Sequence, residues 1–453
     1  MNNDTICALA TRPGGAIGII RVSGKNAISI TDHLFRGKKA LSSCTAGTLH
    51  YGQIVDLSGN EIDDVVVSLW RAPKSYTGED STEISCHGSA YILKQVMEAL
   101  IEAGCRSAEP GEYTRRAFLN GKMDLSQAEA VADLVSATNR ATHHMALSQL
   151  KGHFSSQLSK LREQLLKMTS LLELELDFSD HEELEFADRT TLRQLAQTID
   201  ERITRLAESF KTGNALKKGL PVAIIGKTNV GKSTLLNQLL GDDKAIVSDI
   251  HGTTRDVIED TTEIDGITFR FIDTAGLRKT TDVVEQMGID RSLQKLKEAT
   301  IILWVNDQTP TPEEQESLLS KAKGKKVIYI HNKVDTPTPE AEKANPAFCS
   351  SLTISAKHGY GLDALKKALV KAADLPAITE NDVIVTSTRH YDALMKAHDS
   401  LAQVFAAMDM NLSGDLIAED LKATLEALGE ITGGQISSQE TLNNIFHHFC
   451  IGK

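Results

Sequence analysis

The sequence predicts a multidomain fold that combines α/β domains with an all-α part, and three observations carry that prediction. At 453 residues the chain is too long for one ordinary core, and length alone suggests roughly three domains. Between residues 216 and 375 short apolar runs alternate with helical patterns, as in a mostly parallel sheet with helices on both faces. On either side of that stretch apolar residues recur at helical spacing over long segments, the mark of packed helices. The expected division is an α/β domain over 1–118, a helical domain in two parts over 119–215 and 376–453, and an α/β domain over 216–375 inserted between those parts.

Residues 1–118 are punctuated by turns at Pro13-Gly-Gly15, Ser58-Gly-Asn60 and Thr77-Gly-Glu-Asp80. Ile17-Gly-Ile-Ile-Arg-Val22 and Asp64-Val-Val-Val-Ser-Leu-Trp70 are strand-like, and Ala90 to Ala103 has helical periodicity at Ile92, Val96, Ala99 and Leu100. His87 beside Gly88 reads as a satisfied structural residue at a strand end. From about 119 the pattern becomes helical. Ser126-x-x-Glu129 has the form of a capping box, with apolar residues at 125, 128, 132 and 135 on one face. Further stripes run through Leu158, Leu161, Leu165, Met168, Leu172 and Leu176, then Leu192, Leu195, Ile199, Ile203, Leu206 and Phe210. The acidic run from Glu173 to Asp188 reads as a solvated helix end and loop. Lys211 to Gly219 reads as a break before the inserted domain, and after it helices return at Leu394 to Met408 and Ile417 to Leu428. Ser437-x-x-Glu440 is expected to cap a last helix.

Composition excludes several classes. A net charge of −12 argues against coating nucleic acid by bulk electrostatics. No apolar run approaches the roughly 20 residues that span a bilayer. The start Met1-Asn-Asn-Asp-Thr-Ile6 has neither the basic residues nor the apolar stretch of a secretory signal, so a cytoplasmic location is expected. Cysteines at 7, 44, 86, 105, 349 and 450 form no C-x-x-C and no disulfide or zinc framework.

The chemistry is concentrated in Gly226-Lys-Thr-Asn-Val-Gly231-Lys232-Ser233, which follows the apolar run Val222-Ala-Ile-Ile225 and leads into the helix-like Thr234 to Leu240. G-x-x-x-x-G-K-[ST] between a strand and a helix is the P-loop pattern, in which backbone N–H groups, Lys232 and a Mg²⁺-binding hydroxyl on Ser233 meet a triphosphate. A Gly-rich turn capping a helix is the rival reading, and it weakens because further motifs follow in order. Ser248-Asp249-Ile250-His251-Gly252-Thr253-Thr254 supplies a switch loop with Thr254 as the second Mg²⁺ hydroxyl. Asp273-Thr274-Ala275-Gly276 sits after a strand, where the Asp holds the Mg²⁺ shell and the Gly N–H senses the γ-phosphate. Asn332-Lys333-Val-Asp335 offers a carboxylate to the paired donors of guanine, which adenine lacks, so the expected nucleotide is GTP. Ser355-Ala356-Lys357 would meet the guanine oxygen through its backbone. Within the loop, Asn229, Val230 and Thr234 complete the expected contacts.

Two residues refine the reading. Leu277 stands where many GTPases place a glutamine, and leucine can neither align water nor move a proton. Asn229 is either a turn residue or a ligand for a monovalent cation. With oxygens from Ser248, Ile250 and Thr253, a K⁺ there would neutralise charge developing between the β- and γ-phosphates.

The whole chain resembles the bacterial tRNA modification GTPase family called MnmE or TrmE. The resemblance rests on the Asn-containing P-loop, Gly252-Thr-Thr-Arg-Asp256, Asp273-Thr-Ala-Gly-Leu277 and the terminal Cys450-Ile-Gly-Lys453. It implies K⁺ ligands at Asn229, Ser248, Ile250 and Thr253, Mg²⁺ ligands at Ser233 and Thr254, and a water-aligning glutamate at Glu285. It also implies a tetrahydrofolate site using Arg21, Glu83, Lys122 and Lys453, with 5,10-methylene-tetrahydrofolate as one-carbon donor and 5-formyl-tetrahydrofolate as its analogue. Cys450 stays open between covalent chemistry and a small packing residue. The family resemblance further implies a homodimer through the N-terminal domains. It implies a complex, heterotetrameric or larger, with the flavoprotein MnmG, which brings FAD and NADH, and it implies tRNA as substrate. The reaction implied is addition of an aminomethyl-type group, such as carboxymethylaminomethyl, to C5 of the wobble uridine. The alternative is a GTP-gated ribosome-assembly or RNA-binding switch that modifies nothing. No KH-type G-x-x-G module accompanies the nucleotide motifs, and such switches lack the terminal Cys-Ile-Gly-Lys.

Overall fold

A computed structural model of the chain describes residues 4–177, 189–241, 260–272, 298–334, 348–375 and 382–434, with positions 442, 445, 446, 449 and 452. The chain divides into two compact units, one made of 1–136, 146–204 and 392–453, the other of 137–145 and 205–391.

In the first unit, β1 (Ile6–Leu9), β2 (Ile17–Ser23), β3 (Phe35–Gly37), β4 (Thr48–Val55), β5 (Glu61–Trp70), β6 (Ser81–His87) and β7 (Arg106–Ser107) form a seven-stranded sheet in the order β3-β4-β5-β6-β2-β1-β7. Every pairing is antiparallel except β1 with β7. The period of two decides its faces. Val65, Val67 and Leu69 of β5 point inward and pack with Ile20, Ile84, Leu93, Val96 and Leu100, whereas Val66 and Tyr51, paired across β4 and β5, are exposed. The inward face is covered by α1 (Ala27–Leu34) and α2 (Ala90–Glu102).

Five helices follow: α3 (Glu112–Leu119), α4 (Leu125–Ser136), α5 (Arg140–Leu150), α6 (His153–Asp177) and α7 (Arg189–Lys218). The capping box expected at Ser126 and Glu129 is corrected. Asp124 accepts from the Gln127 backbone N–H at 2.9 Å while Gln127 Oε1 accepts from the Asp124 N–H at 3.0 Å. The reciprocal box therefore starts two residues earlier. Ser126 is fully buried inside the first turn and donates to Asp124 Oδ1. The break expected at Lys211 to Gly219 is also corrected, since α7 continues through Lys218. Gly213 is there for space, because a Cβ would lie 2.2 Å from the carbonyl oxygen of Val385. The helix stops at Gly219, whose φ of +80° suits a residue without a side chain.

The second unit holds β8 (Leu220–Ile225), α8 (Lys232–Leu240), β9 (Asp260–Ile264), β10 (Ile267–Phe271), β11 (Ile301–Asn306), α9 (Pro312–Lys321), β12 (Lys326–His331), β13 (Ser350–Thr353) and α10 (Leu362–Ala373). Its six-stranded sheet runs β13-β12-β11-β8-β10-β9, parallel except at β9. Near-continuous apolar runs make the central strands, as a sheet buried on both faces requires. All six residues of β11 are buried. Returning to the first unit, α11 (Thr388–Asp409) and α12 (Gly414–Thr432) carry the expected stripes inward. Leu394, Ala397, Leu401 and Val404 are buried on α11, and Ile417, Leu421, Leu425 and Leu428 are buried on α12, which packs along α6. Among the described residues no helix is long and apolar enough to cross a membrane. The Ser437 to Glu440 cap and the lower end of the acidic run, 178–188, lie outside the described residues.

Candidate functional sites

At the carboxyl edge of the second sheet, β8 turns into the loop 226–231, which runs into α8. Three residues there hold positive φ: Gly226 at +151°, Asn229 at +63° and Gly231 at +97°. The glycines are also sterically required. A Cβ on Gly226 would stand 2.0 Å from the Val305 carbonyl oxygen, and one on Gly231 would stand 2.2 Å from Asn332 Nδ2. Gly231 precedes α8 at positive φ and offers no side-chain cap to it. Lys232 Nζ folds back over the loop and donates to the carbonyls of Gly226 at 2.8 Å and Lys227 at 2.5 Å. Asn229 makes no side-chain hydrogen bond among the described residues, which leaves its amide oxygen open.

Asn332, at the end of β12, ties this loop to the next one. Its Nδ2 donates to Val230 O at 2.8 Å and its Oδ1 accepts from the Ala356 N–H at 2.9 Å. At 3% exposure its amide is an internal strut between loops. Lys333 (φ +70°) pairs with Asp307 at 2.8 Å, and that hydrogen bond holds the Asp307 carboxyl below its ordinary value. Ser355 closes the last turn through its N–H to Tyr360 O at 3.0 Å, and its buried hydroxyl has no partner among the described residues. The fold thus brings Asn229, Val230, Gly231, Lys232, Ser233 and Thr234 to one sheet edge with Asn332, Lys333, Ser355, Ala356 and Lys357, because β8, β12 and β13 end in parallel. The expected sites at Ser248, Asp249, Ile250, His251, Gly252, Thr253, Thr254, Asp273, Thr274, Ala275, Gly276, Glu285, Asp335, Cys450 and Lys453 lie outside the described residues.

The first unit holds a different kind of site. Antiparallel pairing of β2 with β6 sets Arg21 directly opposite Glu83. Arg21 Nε and Nη2 both reach Glu83 Oε1, at 2.9 and 2.8 Å, while Oε2 has no partner among the described residues. The guanidinium lies 5.5 Å from the ring centre of Tyr76 and 5.6 Å from that of Tyr113, within cation–π range. Tyr113 also donates its hydroxyl to Arg21 O at 2.7 Å, and burial raises its pKa well above the ordinary value. Near the chain's end, Gly452 O accepts from Arg21 Nη1 at 3.4 Å. These groups border a cavity of about 320 Å³ lined by Arg21, Trp70, Lys74, Ser75, Tyr76, Ser81 and Glu83. Lys122 is not part of that lining. Its Nζ donates to Pro73 O at 2.9 Å, on the loop between β5 and β6. Trp70, Lys74, Tyr76 and Tyr113 escaped sequence reasoning, and only the glycine-bearing turn at Thr77 to Asp80 hinted at a built loop there.

Elsewhere in this unit Glu112, 1% exposed, is clasped by Arg106 at 2.6 Å and Arg116 at 2.9 Å, and both arginines also reach Asp4. Burial alone would raise the Glu112 carboxyl, but Arg106, the Glu109 N–H and Arg116 hold it below its ordinary 4.5. His87 is paired rather than lone. Its backbone N–H and its Nδ1 both meet the Asp63 carboxylate at 2.8 Å, as a structural role requires.

Two family models match the chain: one for the MnmE helical domain over residues 125–450, the other for the N-terminus of the GTP-binding protein TrmE over 5–122. A Bacteroides fragilis protein named tRNA modification GTPase MnmE is 55% identical over all of both chains. A Flavobacterium johnsoniae protein of the same name is 48% identical, again over the full length of both. Among solved structures, the G domain of the T. maritima FeoB iron transporter is 28% identical, covering 34% of this chain and 99% of that one, with a TM-score of 0.25.

Proposed function

The chain belongs to the MnmE/TrmE family of tRNA modification GTPases, and from that membership we propose a K⁺-stimulated GTP hydrolase that acts with the flavoprotein MnmG on the wobble uridine of tRNA. It is a GTPase of tRNA modification. The finer reading is that it helps add an aminomethyl-type group at C5 of that base, drawing a one-carbon unit from 5,10-methylene-tetrahydrofolate. The observation that carries the reading is the 55% identity over all of both chains, because it spans the P-loop unit and the cavity unit together.

In this reading the loop 226–231 cradles the β-phosphate through its backbone N–H groups. Lys232 exchanges the carbonyls of Gly226 and Lys227 for the β- and γ-phosphate oxygens. Ser233, at the start of α8, and Thr254 would hold Mg²⁺, and Asp335 would read guanine, while Asn332 keeps the two loops in register. Asn229 fits a cation ligand because its amide oxygen is uncommitted, and Ser248, Ile250 and Thr253 complete the set. A K⁺ held by these residues would supply positive charge where negative charge grows in the transition state. Glu285 aligns the attacking water in place of the glutamine that Leu277 replaces.

In the first unit Glu83 Oε2 is free to accept from the donor edge of a pterin, and Arg21, Lys122 and Lys453 meet its polar oxygens or glutamate tail. The volume of about 320 Å³ falls at the lower end of ordinary ligand sites. We place the homodimer contact on the N-terminal domains and the FAD and NADH on MnmG.

Turnover is expected to be far faster in K⁺ than in Na⁺ at equal ionic strength, and equal rates would remove the cation from the mechanism. Mass spectrometry of tRNA nucleosides from cells lacking the protein should show the C5-modified wobble uridine lost. Unchanged nucleosides would sink the functional reading.

A further inference from the structure

The lining of the first-unit cavity contains two cations, Arg21 and Lys74, and their circumstances differ. Arg21 is spent on Glu83, on two aromatic rings and on Gly452 O. The Lys74 backbone N–H donates to Arg71 O at 2.9 Å, but its ammonium has no hydrogen bond or ion pair among the described residues. It stands exposed on the loop joining β5 to β6. Lys122, the lysine expected from the resemblance, is already engaged: its Nζ donates to the Pro73 carbonyl at 2.9 Å, and its side-chain carbons lie 3.3 Å from where a Cβ on Gly78 would be.

We infer that Lys74 holds the anionic tail of the ligand bound in this cavity. The inference rests on the folate reading above and deepens it, since it makes the ligand a reduced pterin ring that must carry a carboxylate tail. The strand register orients such a molecule. Glu83 lies opposite Arg21 on β2 and Ser68 on β5, and Ser81, two residues toward the loop, lies opposite Trp70. Lys74 follows in the loop itself. A ring whose donor edge meets the open Glu83 Oε2 inside the sheet therefore directs its other end past Ser81 and Trp70 toward the loop. Lys74 is the one uncompensated cation among the described lining residues, and a carboxylate arriving there gains a charge-assisted hydrogen bond. The long, uncommitted lysine stem lets the ammonium follow the tail, which a guanidinium already clamped by Glu83 and two rings cannot do.

The test is titration calorimetry of the full chain with 5-formyl-tetrahydrofolate and with 6-methyl-5,6,7,8-tetrahydropterin, which keeps the reduced ring and lacks the tail, measured directly or as a competitor. Lys74→Gln is expected to weaken 5-formyl-tetrahydrofolate about tenfold, the loss of one charged hydrogen bond, and to leave the tail-less pterin unchanged. Lys74→Arg should restore most of the affinity and Lys74→Glu should weaken it further than Gln, an order that follows charge. Unchanged binding of the tail-less pterin serves as the folding control for the first unit, and GTP turnover, from the other unit, should not move. Failure of the wild type to bind 5-formyl-tetrahydrofolate overturns the folate reading and this assignment with it. Binding by the wild type with an equal affinity in Lys74→Gln overturns the assignment alone, and so does an equal loss for both ligands.

Discussion

The two sites are built from different materials. The nucleotide cradle of the second unit is mostly backbone, one contiguous loop between β8 and α8 whose shape is set by Gly226, Asn229 and Gly231 at positive φ. The cavity of the first unit is made of side chains, with Arg21, Trp70, Tyr76 and Glu83 brought from separate strands and a loop, and Gly452 reaching Arg21 across 431 positions of sequence. A backbone site tolerates change wherever the loop can keep its dihedrals. A side-chain site depends on every element that delivers a residue to it.

That contrast can be broken at three points. The largest effect is expected at Glu112, which no ligand touches. Glu112→Ala leaves Arg106 and Arg116 without their shared buried carboxylate and should destabilise the first unit by about 3–5 kcal/mol, read by denaturant unfolding, with GTP turnover as the measure of the second unit. The pH dependence has a definite sign. Because the folded Glu112 carboxyl titrates below its ordinary 4.5, its contribution is fully present above about pH 4.5 and is lost as pH falls through the folded value. The wild type should therefore lose its advantage over Glu112→Ala in acid, and a constant gap down through that range would contradict the assignment. Next comes Lys232→Ala, which should lower GTP turnover roughly 100- to 1,000-fold, as removal of a donor to developing charge does, while 5-formyl-tetrahydrofolate binds as before. The smallest is Glu83→Gln, which keeps shape but loses the charge facing Arg21 and the ligand's donors. It should weaken 5-formyl-tetrahydrofolate about tenfold without touching GTP turnover. A drop in GTP turnover alongside it would show that the cavity governs the cradle.

The same contrast explains how far each region could be read in advance. The P-loop, the Asn332 turn and Ser355 to Lys357 were legible because each is a short pattern following an apolar strand, and the parallel strands bring their ends to one edge. Asn332 reads in sequence as part of a guanine motif, yet its amide bridges Val230 and Ala356, a role no local pattern contains. Arg21 and Glu83 came from the family resemblance. Their pairing comes from the β2–β6 register, and Lys74 and Trp70 became visible only once the loop between β5 and β6 was in place.

Where local pattern and structure part, the cause is tertiary. Gly213 in a polar stretch reads as a break until Val385 O is found where a Cβ would go. Ser126 reads as a cap until it is found buried inside the first turn, with Asp124 and Gln127 closing the box. Strand runs, helical stripes and the phosphate loop are written in the order of residues, because dihedral preference, apolar period and glycine placement act over a few neighbours. Which carboxylate faces which guanidinium, and which lysine keeps a free charge, depends on segments far apart in the chain meeting in a sheet, and a register of strands is a property of the folded molecule.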